Sequence, residues 1–234
     1  MVDKSEPKFG LPVSPINYDN HIRNVIPFYE LIHAQVLDLV AIIQPKPKLW
    51  LDTGCGTGML LQSALSKWSD TSFYCADPSS GMLDLVKERF QNEKSRLTIL
   101  PPCPTQSLTA ELLSGNKFDV ITAIQCHHYL DLPSRQKAIQ VCYDALNQNG
   151  VYITTENICP LTAEGIHIGL DHLDNFYRTQ GLDENQIKNQ RSRFDTQFFP
   201  ITVTTYLDLL SSVGFRVVEL FWYSYMQAGF FAIK

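Results

Sequence analysis

Lys48-Leu49-Trp50-Leu51-Asp52-Thr53-Gly54-Cys55-Gly56-Thr57-Gly58-Met59-Leu60-Leu61 is the stretch on which the fold turns. A Pro-Lys-Pro-Lys breaker at residues 45–48 precedes three consecutive apolar residues, Leu49 to Leu51, the mark of a short buried strand. Asp52 ends that strand. Gly54, Cys55, Gly56, Thr57 and Gly58 make a tight loop, and Met59, Leu60, Leu61, Ala64 and Leu65 then recur at helical spacing. Strand, glycine loop and helix outline a ligand cradle. Without a Cβ the backbone can approach a ligand closely, and a helix N-terminus offers unpaired N–H groups. The glycines follow D-x-G-x-G-x-G, not the G-x-G-x-x-G of dinucleotide-binding folds, whose third glycine packs helix on strand.

The chain around this stretch has 234 residues, room for one large core or a domain with a small cap. Hydrophobic residues make up 44% and charged residues 18%, as in ordinary globular proteins. A net charge of −5 argues against a protein-wide basic surface for nucleic acid. The six cysteines include no C-x-x-C pair, so a reduced, cytoplasmic chain without structural zinc is expected. The N-terminal residues lack an apolar signal core, and no apolar run reaches membrane-spanning length.

Upstream, residues 1–17 read as a proline-containing arm, and Tyr18 to Ile43 as helices broken near Pro27. Downstream, strands are expected at Ser72–Ala76, Arg96–Leu100, Phe118–Ile124 and Val151–Thr155, with helices between them. The helix from about Pro133 to Leu146 is expected to end through a cap at Asn149-Gly150. Residues 157–200 are too long for a structureless connection and should carry helices, the second opened by a capping box of Asp183 and Gln186. A helix over Thr204–Val213 stops at Gly214. Phe215–Phe221 and Ala228–Ile233 follow as a hairpin joined by Trp222–Gln227. The sum is a seven-stranded, mostly parallel α/β sheet whose last strand is antiparallel, with helices on both faces. It divides into an N-terminal arm and helical cap (1–47), a core (48–156 and 201–234) and a helical insertion after the fifth strand (157–200).

Motif and topology together resemble the class I S-adenosylmethionine-dependent methyltransferases over residues 48–155 and 203–234. The resemblance implies S-adenosylmethionine at the carboxyl ends of the strands and a small-molecule acceptor beside it. Asp52 would order the loop and face the cofactor's cationic amino-acid end. Gly54, Cys55, Gly56 and Gly58 would form the cradle. Asp77, 25 residues beyond Asp52, would accept hydrogen bonds from the ribose hydroxyls, with Pro78 following it and Met82 against the adenine. No acidic residue follows the third strand where many of these enzymes contact the adenine amino group, which leaves backbone groups of Cys103 or the side chain of Gln106. Ile124 at the end of the fourth strand and Gln125 after it would also belong to the cofactor site, and His127 or His128 beyond them could act as general base.

Some segments also resemble the carboxy-S-adenosylmethionine synthase family: Ile26-Pro27-Phe28-Tyr29, the insertion from Gly181 through Arg191, and Leu220-Phe221-Trp222. That resemblance implies cofactor-site roles for Tyr29 and for Arg191, whose fork suits a carboxylate. Tyr18, His172 and Arg191 are the candidate substrate residues, and no metal site is expected. The expected activity is methyl transfer to a small molecule. The alternatives are a synthase-like enzyme that modifies the cofactor and a non-catalytic binder of it. The aromatic run Phe221–Tyr225 would suit a homodimer interface.

Overall fold

The computed structural model describes residues 15–234. The expected arm over residues 1–17 therefore lies largely outside the described residues, and residues 15–17 are helical instead. The chain runs α1 (Pro15–Val25), α2 (Tyr29–Ile43), β1 (Leu49–Thr53), α3 (Met59–Lys67), β2 (Ser72–Ala76), α4 (Ser80–Arg89), β3 (Leu97–Ile99), β4 (Phe118–Ile124) and α5 (Leu132–Ala145). It continues through β5 (Leu146–Asn157), α6 (Ala163–Thr179), α7 (Glu184–Arg191), α8 (Val203–Val213), β6 (Val217–Ser224) and β7 (Gln227–Ile233).

The strands form one sheet in the order β3-β2-β1-β4-β5-β7-β6. Neighbours from β3 to β5 are parallel, and β7 runs antiparallel to both β5 and β6. Alternation along each strand feeds two cores, one per face. Trp50, Val120, Val151 and Ile153 join Ile32, Val36 and Leu61 on one face. Leu51, Ile121 and Tyr152 join Ile139, Tyr206 and Phe230 on the other. Helix α2 buries Tyr29, Ile32, His33, Val36 and Val40, a single stripe at helical spacing.

Two local expectations need correction. The helix α5 ends at Ala145, with Leu146 as its cap, so Asn149-Gly150 is no C-cap. These residues lie within β5, where Asn149 takes a positive φ of 64°. The polar residues Asn147, Gln148 and Asn149 mask the start of that strand; they pair at the sheet end, as in the Asn147 contact to Asp119. The second correction concerns the final hairpin. Trp222, Tyr223 and Ser224 belong to β6, and only Tyr225 and Met226 turn the chain. The capping box at Asp183 and Gln186 forms as expected, and Gly214 ends α8 at φ 113°.

Candidate active site

Three cavities meet along the carboxyl edge of the parallel strands, and Tyr18 and Gln125 line all three. The largest, about 380 Å³, is lined by Gly54, Gly56, Asp77, Pro78 and Met82 on one side and by Ile124 and His127 on the other. That volume falls in the range of small-molecule sites. A small recess beneath the glycine loop is lined by Tyr29, His33, Asp52 and Cys55. The third cavity, about 60 Å³, lies under α6 and α7 and is lined by His128, Tyr129, Tyr177, Arg191 and Arg193 among others.

Hydrogen bonds fix the loop around the first two cavities. The Cys55 N–H donates to the Ala76 carbonyl at 3.1 Å, and the Gly56 N–H donates to Asp77 Oδ2 at 2.9 Å. The Ser79 N–H donates to Asp77 Oδ1 at 2.8 Å, while Ser79 itself caps α4. Asp77 thus ties the end of β2 to the loop after β1. Trp50 Nε1–H donates to Thr122 Oγ1 at 2.9 Å, and the Thr122 hydroxyl donates to Asp52 Oδ1 at 2.7 Å. Burial raises the Asp52 carboxyl to about 7 and the Asp77 carboxyl to about 6. Both acids are therefore poised to gain from a cationic or hydroxyl-rich ligand.

The three glycines of the motif do different work. A Cβ on Gly54 would stand 2.5 Å from Cys126 Cβ, so Gly54 lets the β1 and β4 loops touch. Gly58 would meet Phe90 at 2.7 Å and lines none of the three cavities. Gly56 alone has open space, its nearest neighbour being Tyr18 at 3.9 Å. Cys103 also lines no cavity, and its N–H is committed to the Asp77 carbonyl at 3.2 Å. Gln106 lines the large cavity, and its Oε1 is buried with no partner among the described residues. Of the two adenine contacts expected, only Gln106 is placed to make one.

Beyond β4 the chain turns at Gln125, whose φ of 54° is unusual for a residue with a Cβ. The two histidines follow in a single tight turn, His127–Tyr129. The Glu156 carboxylate accepts from the His127 N–H at 3.3 Å, the His128 N–H at 2.7 Å and the Thr154 hydroxyl at 2.7 Å. Its Oε2 also lies 2.9 Å from His128 Nδ1. Arg135, itself buried, donates from Nε to the His127 carbonyl and from Nη2 to the Leu130 and Phe199 carbonyls. Burial holds His128 below its ordinary value despite the pull of Glu156, so the ring is neutral near pH 7. Burial opposes ionisation of Glu156, but the bond from His128 and the charges of His128, His127 and Arg135 outweigh it, and the carboxyl sits below its usual range. With Nδ1–H directed to Glu156, Nε2 keeps the lone pair, the arrangement a general base requires. His127 is different. Its two ring nitrogens lie 3.0 Å from Thr105 Oγ1 and 3.1 Å from the Tyr152 hydroxyl, and burial pushes it down to about 4.

The candidate substrate residues separate. Tyr18 stands at the junction of the cavities. Arg191 lines the third cavity, but its Nη1 is held by Asp171 at 2.8 Å and Asp174 at 2.5 Å. His172 reaches no cavity and stacks on Tyr225 at 4.2 Å. Its helix turns Leu170, Leu173, Asp174 and Tyr177 inward, and His172 falls outside that stripe. Sequence reasoning missed Glu156 and Arg135, because a lone acid in a strand and a lone Arg on a helix carry no pattern that marks them as a clamp. Among the described residues, no three His, Cys, Asp or Glu side chains are grouped to hold a metal ion. No single described helix is long and apolar enough to cross a membrane.

Comparison with known proteins agrees with this fold. A family described as "Methyltransferase domain" matches residues 51–152. The carboxy-S-adenosyl-L-methionine synthase of Campylobacter lari is 24% identical over 86% of this chain and 84% of its own. The synthase of Trichodesmium erythraeum is 28% identical over 86% and 79%. Among solved structures, an N-methyltransferase from Bradyrhizobium japonicum in complex with S-adenosyl-L-homocysteine superposes with a TM-score of 0.60 at 13% identity, over 91% of this chain and 90% of that one. Human N-acetylserotonin methyltransferase in complex with SAM gives 0.59 at 16% identity, and the chain spans about half of that protein, 52%. Over residues 51–152 the chain is similar to a methyltransferase domain, and its fold is shared with solved methyltransferases. Its similarity to the two carboxy-S-adenosylmethionine synthases spans most of the chain, at 24% and 28% identity.

Proposed function

We propose that this protein transfers a methyl group from S-adenosylmethionine to a small-molecule acceptor, with His128 as general base. The observation that carries this reading is the buried His128–Glu156 pair. It borders a cavity that joins the glycine-loop cavity at Gln125 and Tyr18. The cofactor supplies an activated methyl on a sulfonium. Asp77 fits its ribose, Gln106 its adenine amino group, and Asp52 with Tyr29 its amino-acid end. Gly54, Gly56 and Cys55 let the backbone come close, and Pro78, Met82 and Ile124 supply apolar contact. His128 takes the acceptor's proton, and Glu156 stabilises the imidazolium that results. Tyr129, Tyr177 and the lid formed by residues 157–200 exclude water from the reacting atoms. A cytoplasmic setting belongs to the same proposal, as does a homodimer across the edge strand β6, where Leu220 and Tyr223 are exposed.

A second reading, modification of the cofactor itself, is favoured by the curated relatives, which carry the synthase name. Arg191 would then receive a carboxylate, yet its Nη1 already serves two aspartates. Mass spectrometry of the ligand retained through purification separates the two. Unmodified S-adenosylmethionine or S-adenosylhomocysteine supports methyl transfer, and a carboxylated cofactor overturns it.

Two further outcomes are expected. Because the buried Asp52 must ionise to meet a cationic ligand, affinity for S-adenosylmethionine should rise with pH through about 7. The rise should be up to about tenfold per unit on the acid side, as expected for one linked proton. The sign in the free protein is opposite: a raised carboxyl favours the folded state below its folded value and withdraws that support as pH climbs from 3.8 toward 7. Titration calorimetry at pH 5.5 and 8 checks this, and Asp52→Asn should flatten the dependence. Gln106→Leu should weaken S-adenosylhomocysteine binding about tenfold, one lost hydrogen bond to a buried partner. The same substitution should leave the hypoxanthine analogue's affinity unchanged.

A further inference from the structure

The acceptor's chemistry is written in two glutamines. Gln125 and Gln227 both line the cavity under α6 and α7, and they are 8% and 3% exposed. They flank the carboxyl end of β5, Gln125 following β4 on one side and Gln227 opening β7 on the other. Gln125 Nε2 donates to Thr155 Oγ1 at 3.4 Å, and Gln227 Nε2 donates to Asn157 Oδ1 at 3.3 Å. Thr155 and Asn157 are two apart on one strand, so their side chains share a face of the sheet. With both amide nitrogens engaged, each Oε1 is left buried without a hydrogen-bond partner among the described residues. Buried carbonyl oxygens are rarely left so, and two in one cavity call for a ligand that brings donor hydrogens.

We infer that the acceptor is an amine, whose N–H groups satisfy Gln125 and Gln227. This rests on the methyl-transfer reading and names the substrate class for the same site. A neutral primary amine has two N–H donors and one lone pair. A phenol or alcohol has a single hydrogen, which transfer removes, and a carboxylate has none. The amine lone pair forms the new C–N bond as the C–S bond breaks, and its electron pair stays on sulfur as a neutral thioether. The extra proton on the methylated nitrogen passes to His128, whose imidazolium faces Glu156. Gln125, which also borders the cofactor cavity, holds the reacting nitrogen at the junction.

The test uses the full chain saturated with S-adenosylhomocysteine and four probes: benzylamine, benzyl alcohol, benzoate and toluene. Ligand-observed NMR reads their affinities. Benzylamine should bind at least about tenfold more tightly than the other three, and Gln227→Met should erase that preference. S-adenosylhomocysteine affinity of the variant, which lies outside the cofactor cavity, reports that it is folded. Gln227→Glu should strengthen benzylamine binding further. Equal or tighter binding of the alcohol or the carboxylate overturns the inference. So does an amine preference that survives Gln227→Met, or the absence of binding by any probe. Failure of S-adenosylhomocysteine itself to bind would instead strike the cofactor reading.

Discussion

Replacing Gly54 by Ala is expected to cost the protein about 2–5 kcal/mol of stability. The sum is about 1–2 for an alanine in left-handed backbone and about 1–3 for overpacking. The residue has φ +65°, and the added Cβ would stand 2.5 Å from Cys126 Cβ and 2.6 Å from its sulfur. Cys126 cannot yield freely, because its sulfur contacts the Thr53 carbonyl at 3.4 Å and its neighbours are clamped by Glu156. The variant should also lose cofactor binding, since relief of the clash pulls apart the two loops that frame the large cavity. Gly181→Ala is the control. It has φ +82° with nothing within 4 Å, so only the conformational cost of about 1–2 kcal/mol applies. Denaturant unfolding of the pair separates clash from backbone strain, and equal losses would contradict the packing account.

Glu156→Ala should cost at least about 3 kcal/mol, because one carboxylate satisfies two amide N–H groups and an imidazole, and each buried orphan costs about 1–3, while the Thr154 hydroxyl keeps the Ala123 carbonyl. Glu156→Gln keeps the shape and is the informative variant for chemistry. It should lower kcat about a hundredfold, within the range for general-base catalysis, while leaving the affinity for S-adenosylhomocysteine within about twofold. The imidazolium loses its counter-charge, so His128 should be harder to protonate and the acid limb of the remaining activity should move to lower pH. The stability carried by Glu156 is present above the ordinary value of 4.5 and is lost as pH falls through its lower folded value. An unchanged kcat and pH profile would reduce Glu156 to a structural clamp.

The sheet was legible because its first strands are short apolar runs with Asp52 and Asp77 at the ends of β1 and β2 and Pro101 soon after β3, too short for helices. Ser72–Ala76 and Phe118–Ile124 match to the residue. The lining of the glycine-loop cavity was largely legible too, because a glycine loop and two strand-end acids are fixed to the sheet by chain order alone. The cavity under α6 and α7 was not. Its walls come from α1, the β4 turn, β7 and the insertion, so Gln125, His128, Tyr177 and Gln227 meet only through tertiary packing. His172 shows the limit most plainly: its chemistry suits a site, and helical phase alone carries it outward to Tyr225.

Titration calorimetry of the full chain with S-adenosylmethionine, wild type beside Asp77→Ala, bears on the main claim most directly. One-to-one binding in the wild type that falls at least about tenfold in the variant is the expected result, since Asp77 ties the loop and is proposed to face the ribose. Absence of heat in the wild type, or equal affinity in the two proteins, would contradict a cofactor seated at the ends of β1 and β2.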